Sequence, residues 1–126
     1  MAVLVDINGN IRRVFKVSIN HVVLSGNIGR QPDVRVTPTG ANILTFSLAV
    51  NERVTKGDAW EDYTNWVDVV VFGKRAESLS KILEKGMKVT VDGKLRYSSW
   101  EKEQIKRSKI EIIANDIDIM QRKGES

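Results

Sequence analysis

With 126 residues the chain has room for one domain with a full hydrophobic core, and its hydrophobic share of 41% against a charged share of 29% is that of an ordinary water-soluble protein. The absence of cysteine excludes disulfides, a thiolate nucleophile and cysteine-ligated zinc. No apolar run is long enough to cross a bilayer, and Asp6, Asn8 and Asn10 break the apolar start where a secretory signal would continue. Lys and Arg number 20 against 16 Asp and Glu, giving a net charge of +4 and a pI near 9.5, a mild lean toward polyanionic partners.

Residues 1–16 read as an appended β-hairpin. Val3, Val5 and Ile7 alternate, Asn8-Gly9 is a two-residue turn signal, and Ile11, Val14 and Phe15 return. An isolated hairpin is marginal in water, so this one is expected to dock on the rest of the domain or on a neighbouring subunit. Residues 17–24 are expected to form the first strand of the main domain (residues 17–120). The glycines of Ser25-Gly26-Asn27-Ile28-Gly29 then mark a bend of the kind that curls a sheet into a small barrel. His21, the single histidine, reads as a strand-surface or interface residue and not as a metal ligand. Residues 30–42 are a connection punctuated by Pro32 and by Thr37-Pro38-Thr39-Gly40, in which Val34 and Val36 extend the ribbon.

Residues 43–51 alternate as a strand, with Phe46, Leu48 and Val50 on one face and the small Thr45, Ser47 and Ala49 on the other. Residues 52–65 read as a polar loop or long hairpin tip that turns at Lys56-Gly57-Asp58 and carries Trp60 among charges. The next strand, Trp66-Val67-Asp68-Val69-Val70-Val71-Phe72-Gly73-Lys74, organises the rest. Val67, Val69 and Val71 point to one side, as a barrel core requires; Trp66, Asp68, Val70 and Phe72 point to the other. Rings on an outer face beside cations are suited to stacking unpaired bases while holding their phosphates. The pattern is equally compatible with rings that seal a second layer or a subunit interface.

A helix over 74–84 follows from Ala76, Leu79, Ile82 and Leu83, with Gly86 as its C-terminal cap and Lys85 suiting the dipole. Residues 87–97 form a strand bent at Gly93; residues 98–108 are a hairpin tip bearing Trp100; residues 110–120 close the sheet, with a bulge expected near 113–115. Residues 121–126 are a short polar end. Three strands, a helix and two further strands, bent at glycines, predict an all-β, five-stranded Greek-key barrel of the oligonucleotide-binding (OB) type. Its one helix falls between the third and fourth strands, and an N-terminal β-hairpin precedes it.

From residue 19 to residue 120 the chain resembles the bacterial single-stranded DNA-binding protein (SSB) family. The resemblance is carried by the run from Val22-Val23-Leu24-Ser25-Gly26 through Arg30-Gln31-Pro32-Asp33-Val34-Arg35. It is carried also by Thr64-Asn65-Trp66 through Lys74-Arg75-Ala76-Glu77, and by Lys85-Gly86 through Lys94-Leu95-Arg96 to Trp100. The resemblance implies sequence-independent binding of single-stranded DNA during replication, recombination and repair, by a homotetramer in the cytoplasm, associated with the nucleoid. It places the stacking rings at Trp66, Phe72 and Trp100. A further stacking tryptophan of the family falls near Val54, which has no ring, and Trp60 is the candidate to replace it. Val67 stands where some members carry a histidine at a subunit contact. The family's acidic tail has no counterpart at Gly124-Glu125-Ser126, so partner recruitment by that route is not expected. Lys74, Arg75, Lys94, Arg96, Lys102, Lys106 and Arg107 are the candidates to follow phosphates.

Two other classes compete. A metal-dependent nuclease would need acids such as Asp58, Glu61 and Asp62, or Asp116 and Asp118. These read as solvated faces, and the chain offers no candidate catalytic or metal-binding residue and implies no cofactor. An OB module for protein assembly or sugars would be indifferent to loss of the aromatic rings.

Overall fold

The computed structural model describes residues 2–14 and 18–122. Parts of the expected elements that fall on residue 1, residues 15–17 and residues 123–126 lie outside these. The front hairpin pairs β1 (Ala2–Val5) with β2 (Ile11–Val14) as a two-stranded sheet of its own. Its turn differs from the two-residue form expected. Asp6 N–H donates to the Asn10 carbonyl at 2.9 Å and Gly9 N–H to the Asp6 carbonyl at 3.0 Å, leaving Ile7-Asn8-Gly9 as a three-residue loop. A two-residue type I′ turn needs a positive φ at both central residues; Gly9 has one (81°) and Asn8 does not. The Asp6 carboxylate accepts the N–H groups of Asn8 and Asn10, both at 2.9 Å. The Asn10 bond is the main reason its pKa lies below the usual value.

The main sheet runs β3 (Val22–Ile28), β7 (Lys88–Lys102), β8 (Ile105–Gln121), β6 (Ala59–Phe72), β5 (Asn42–Lys56), β4 (Asp33–Val36). A further β3–β5 pairing closes β3, β7, β8, β6 and β5 into a five-stranded barrel with β4 outside it. The short helix α1 (Lys74–Ser80) stands between the third and fourth barrel strands, as the OB pattern requires. The inward positions are apolar along every barrel strand: Ile28, Leu44, Phe46, Leu48, Val69, Val71, Val89, Val91 and Ile112 are buried together.

Sequence and structure part in several places, each with a physical reason. The first barrel strand is Val22–Ile28, not 17–24, so His21 precedes it and reaches the Asp92 carboxylate at 2.8 Å. Gly26 sits inside the strand, where a Cβ would collide with the Ala49 carbonyl; here β3 passes from β7 to β5 and closes the barrel. The helix stops at Ser80. The Ser80 hydroxyl donates to the Glu77 carbonyl, and Lys81 and Ile82 N–H turn to i−3 carbonyls. Leu83 still enters the core from the following turn, while Gly86 is no helix cap: with φ 93° it turns the chain into β7 and donates to the Ile28 carbonyl at 2.8 Å. The β7–β8 register slips once at Asn115, within the expected stretch, and again at Met120. A Cβ at Gly93 would meet the Ile113 carbonyl, which fixes the bend there.

Both polar tips are hairpin arms: 52–65 takes the hairpin alternative, and 98–108 is the hairpin expected. β5 and β6 stay paired out to Lys56 and Ala59 around Gly57-Asp58, with a positive φ at Gly57 alone, as a type II′ turn has. β7 and β8 stay paired out to Lys102 and Ile105 around Glu103-Gln104. Both of these residues have positive φ (53° and 65°), the signature of a type I′ turn built without glycine. A non-glycine residue in that region costs about 1 kcal/mol or more. Replacing Glu103-Gln104 by Asn-Gly is therefore expected to slow hydrogen exchange of the arm amides at its tip about fivefold, a gain of about 1 kcal/mol in local closure. Unchanged protection would mean that the tip carries no such strain.

Candidate nucleic-acid interface

Residues directly opposite each other in a ladder share a face, and so do residues two apart on a strand. On β6, Trp60, Asp62, Thr64, Trp66, Asp68, Val70 and Phe72 share the outer face with Thr55, Arg53, Asn51, Ala49, Ser47, Thr45 and Ile43 of β5. The parallel pairing of Asp68 with Glu111 and Val70 with Ile113 extends that face onto β8. The β7–β8 ladder then adds Lys94, Arg96, Ser98, Trp100 and Lys102, opposite Ile113, Glu111, Lys109, Arg107 and Ile105. Because β6 and β8 run parallel, both arms leave the barrel at the same end.

Four rings stand exposed on this face: Trp60 (62%), Trp66 (66%), Phe72 (46%) and Trp100 (43%). Trp60, Trp66 and Phe72 recur every six residues along β6, which at roughly 3.3 Å per residue spaces them about 20 Å apart. The outermost ring is met diagonally from the neighbouring strand, with the Arg53 guanidinium 5.7 Å from the Trp60 ring centre. Lys109 sits in the same way 5.9 Å from the Trp100 ring centre and 3.4 Å from the Glu111 carboxylate. Val70, expected to point outward with Trp66 and Phe72, keeps that side of the sheet but is buried, because it lies mid-sheet between Thr45 and Ile113.

Between the arms' bases and β4 runs a groove of about 380 Å³, lined by Phe72, Val70, Ile43, Thr45, Asp68, Glu111 and the cations Arg30, Arg35 and Lys109. Asp68 accepts a hydrogen bond from the Ser47 hydroxyl at 3.4 Å, and Arg35 is paired with Asp33 at 3.3 Å.

The register brings together Trp60, Trp66, Phe72, Trp100, Lys94, Arg96, Lys102 and Arg107. It does not bring in three of the expected cations. Lys106 is opposite Glu101 and so lies on the reverse face of its arm, with Tyr97 and Ile110. Lys74 and Arg75 open α1, outside the ladders, so the register assigns them no face; Arg75 lies 4.0 Å from Asp116 of β8. Conversely Arg30, Arg35, Arg53 and Lys109 join the face although sequence reasoning did not select them. A period-two count on either side of Trp66 and Trp100 would have found Lys109 and, through the hairpin register, Arg53. Arg30 and Arg35 reach the groove only because β4 folds against β5.

The acids weighed as a nuclease centre are dispersed. Asp58 is in the turn, Glu61 and Asp62 point to opposite faces with Asp62 3.9 Å from Arg53, and Asp116 faces Arg75. Among the described residues no group of three or more metal-ligating side chains converges, and no helix is long and apolar enough to cross a membrane.

A profile described as the "Single-strand binding protein family" matches residues 19–120. A single-stranded DNA-binding protein of Treponema pallidum is 40% identical over 102 residues, covering 81% of this chain and 58% of that protein. One from Borreliella burgdorferi is 44% identical over 101 residues, covering 79% and 68%. This chain thus spans little more than half the length of the Treponema relative. Among solved structures, a Plasmodium falciparum SSB complex with ssDNA superposes with a TM-score of 0.74 at 30% identity, covering 86% of this chain and 99% of that one. A deletion mutant of the Thermus aquaticus single-stranded DNA-binding protein superposes with a TM-score of 0.75 at 33% identity, covering 85% and 53%.

Proposed function

Since this chain belongs to the single-strand binding protein family, we propose that it binds single-stranded DNA without regard to sequence, as a homo-oligomer. Its service is protection of unpaired strands during replication, recombination and repair. The observation that carries this reading is the one continuous outer face that Trp60, Trp66 and Phe72 of β6 share with Trp100, Lys94, Arg96, Lys102 and Arg107 of the β7–β8 ladder. Each ring offers a flat surface that any base can cover, a contact worth about 1–3 kcal/mol per base. The cations offer partners for the phosphates between. Duplex bases are already stacked on each other, so the face selects single strands. Binding of this kind makes and breaks no bond. The working unit is a homotetramer, and the address is the cytoplasm, at the nucleoid.

The test is a tryptophan-fluorescence titration with a long oligothymidine, with a duplex of equal length as control. Strong quenching by the single strand alone is the expected result. Absence of both quenching and competition would leave a barrel whose face serves protein assembly instead. Light scattering is expected to give the mass of four chains, and a monomer would contradict the assembly.

A further inference from the structure

The glycines of the barrel differ in what their missing side chain avoids. At Gly26 and Gly93 an added Cβ would strike a backbone carbonyl, so these two serve the fold. At Gly29 all three of the nearest atoms belong to one side chain, the Trp66 indole: Cζ3, Cη2 at 3.1 Å and Cε3 at 3.4 Å. Gly29 has no positive φ, so its backbone conformation is open to any residue. Its N–H donates to the Ser47 carbonyl at 2.8 Å, which ties it to β5. The small Ala49, directly opposite Trp66, is buried. The indole therefore leans across β5 and brings its benzo edge onto Gly29, while 66% of the residue stays exposed.

We infer that Gly29 is a positioning residue for the stacking platform: the absence of a Cβ there sets the height and tilt of the Trp66 ring. This rests on the reading of Trp66 as a base-stacking ring and names what holds that ring in place. A ring already seated loses little side-chain freedom when a base covers it, so its stacking energy goes into affinity. An alanine at 29 meets only the far end of a side chain that can swing, so the barrel keeps its fold while the ring is lifted off its seat.

The experiment uses Gly29→Ala in a background of Trp60→Phe and Trp100→Phe, in which Trp66 alone emits. In the free protein the Trp66 emission is expected to shift and to become more accessible to acrylamide, with thermal unfolding little changed. Unaltered emission and accessibility would overturn the inference. Affinity for oligothymidine is expected to fall about tenfold, within the range of one stacked base. The same Gly29→Ala change placed on Trp66→Ala is expected to cost less than about twofold, because the ring it displaces is gone. Equal losses in both backgrounds would overturn the inference. Trp66→Phe shortens the ring and clears the new methyl, so Gly29→Ala on Trp66→Phe is expected to fold and bind as Trp66→Phe does; a further tenfold loss there would also count against it. If the parent protein binds no oligothymidine, the proposed function falls, and the free-protein emission still decides whether Gly29 seats the ring.

Discussion

Binding to a single-stranded oligonucleotide is expected to weaken about a hundredfold as monovalent salt rises from about 50 to about 200 mM. The magnitude follows from the cations that are available. On the aromatic face Lys109, Arg35 and Arg53 already face carboxylates of Glu111, Asp33 and Asp62. Arg30, Lys94, Arg96, Lys102 and Arg107 show no ion pair among the described residues. If each neutralises one phosphate, the log–log slope for a single strand is about −0.7 per contact, or about −3.5. The two sides of the β7–β8 arm provide the internal control. Arg107→Ala should reduce the slope by about 0.7, since Arg107 lies opposite Trp100. Lys106→Ala should leave it unchanged, since Lys106 lies opposite Glu101 on the reverse face. Equal effects of these neighbouring substitutions would show that the arm is not read from one side only.

Trp66→Ala is expected to weaken oligonucleotide binding about 5- to 150-fold, the equivalent of about 1–3 kcal/mol for one stacked base. The loss should be the same for every base composition, because stacking does not read the edges of bases. A loss confined to one sequence, measured across homopolymeric oligonucleotides, would argue against stacking. Stability should hardly change: 66% of Trp66 is exposed and its seat on Gly29 lies outside the apolar core, which is filled by Phe46, Leu48, Val69 and their neighbours. Phe72 is expected to behave similarly with a smaller effect, because it is less exposed and borders the groove with Val70 and Ile43.

Much of this was legible in the chain. Period-two patterning around Val67, Val69 and Val71, and around Phe46 and Leu48, fixes which side of each strand is core, because burial of a methylene-rich face outweighs every local preference. That in turn puts Trp66 and Phe72 outside. Where strands end was harder to see. The segments after Asn51 and after Tyr97 carry too many charges to look like strands, yet both stay paired to their tips. In an arm solvated on both sides, ladder hydrogen bonds and cross-strand contacts such as Arg53 on Trp60 stand in for apolar burial. The Glu103-Gln104 turn was invisible for a related reason: it uses residues that disfavour its conformation, and only the register around it demands it.

By itself, then, the sequence determined the fold class, the core face and the identity of the outward rings. These follow from alternation, glycine placement and the position of one helix, all of which are local. Only the tertiary structure decided which cations share a face with those rings. Charged side chains on solvated strands carry no burial pattern, so their side is set by register counted from distant residues and by the docking of β4. The same holds for Gly29: its neighbours in the chain mark it only as one of two glycines at a bend, and its place beneath the ring of Trp66 appears only when β3 closes the barrel.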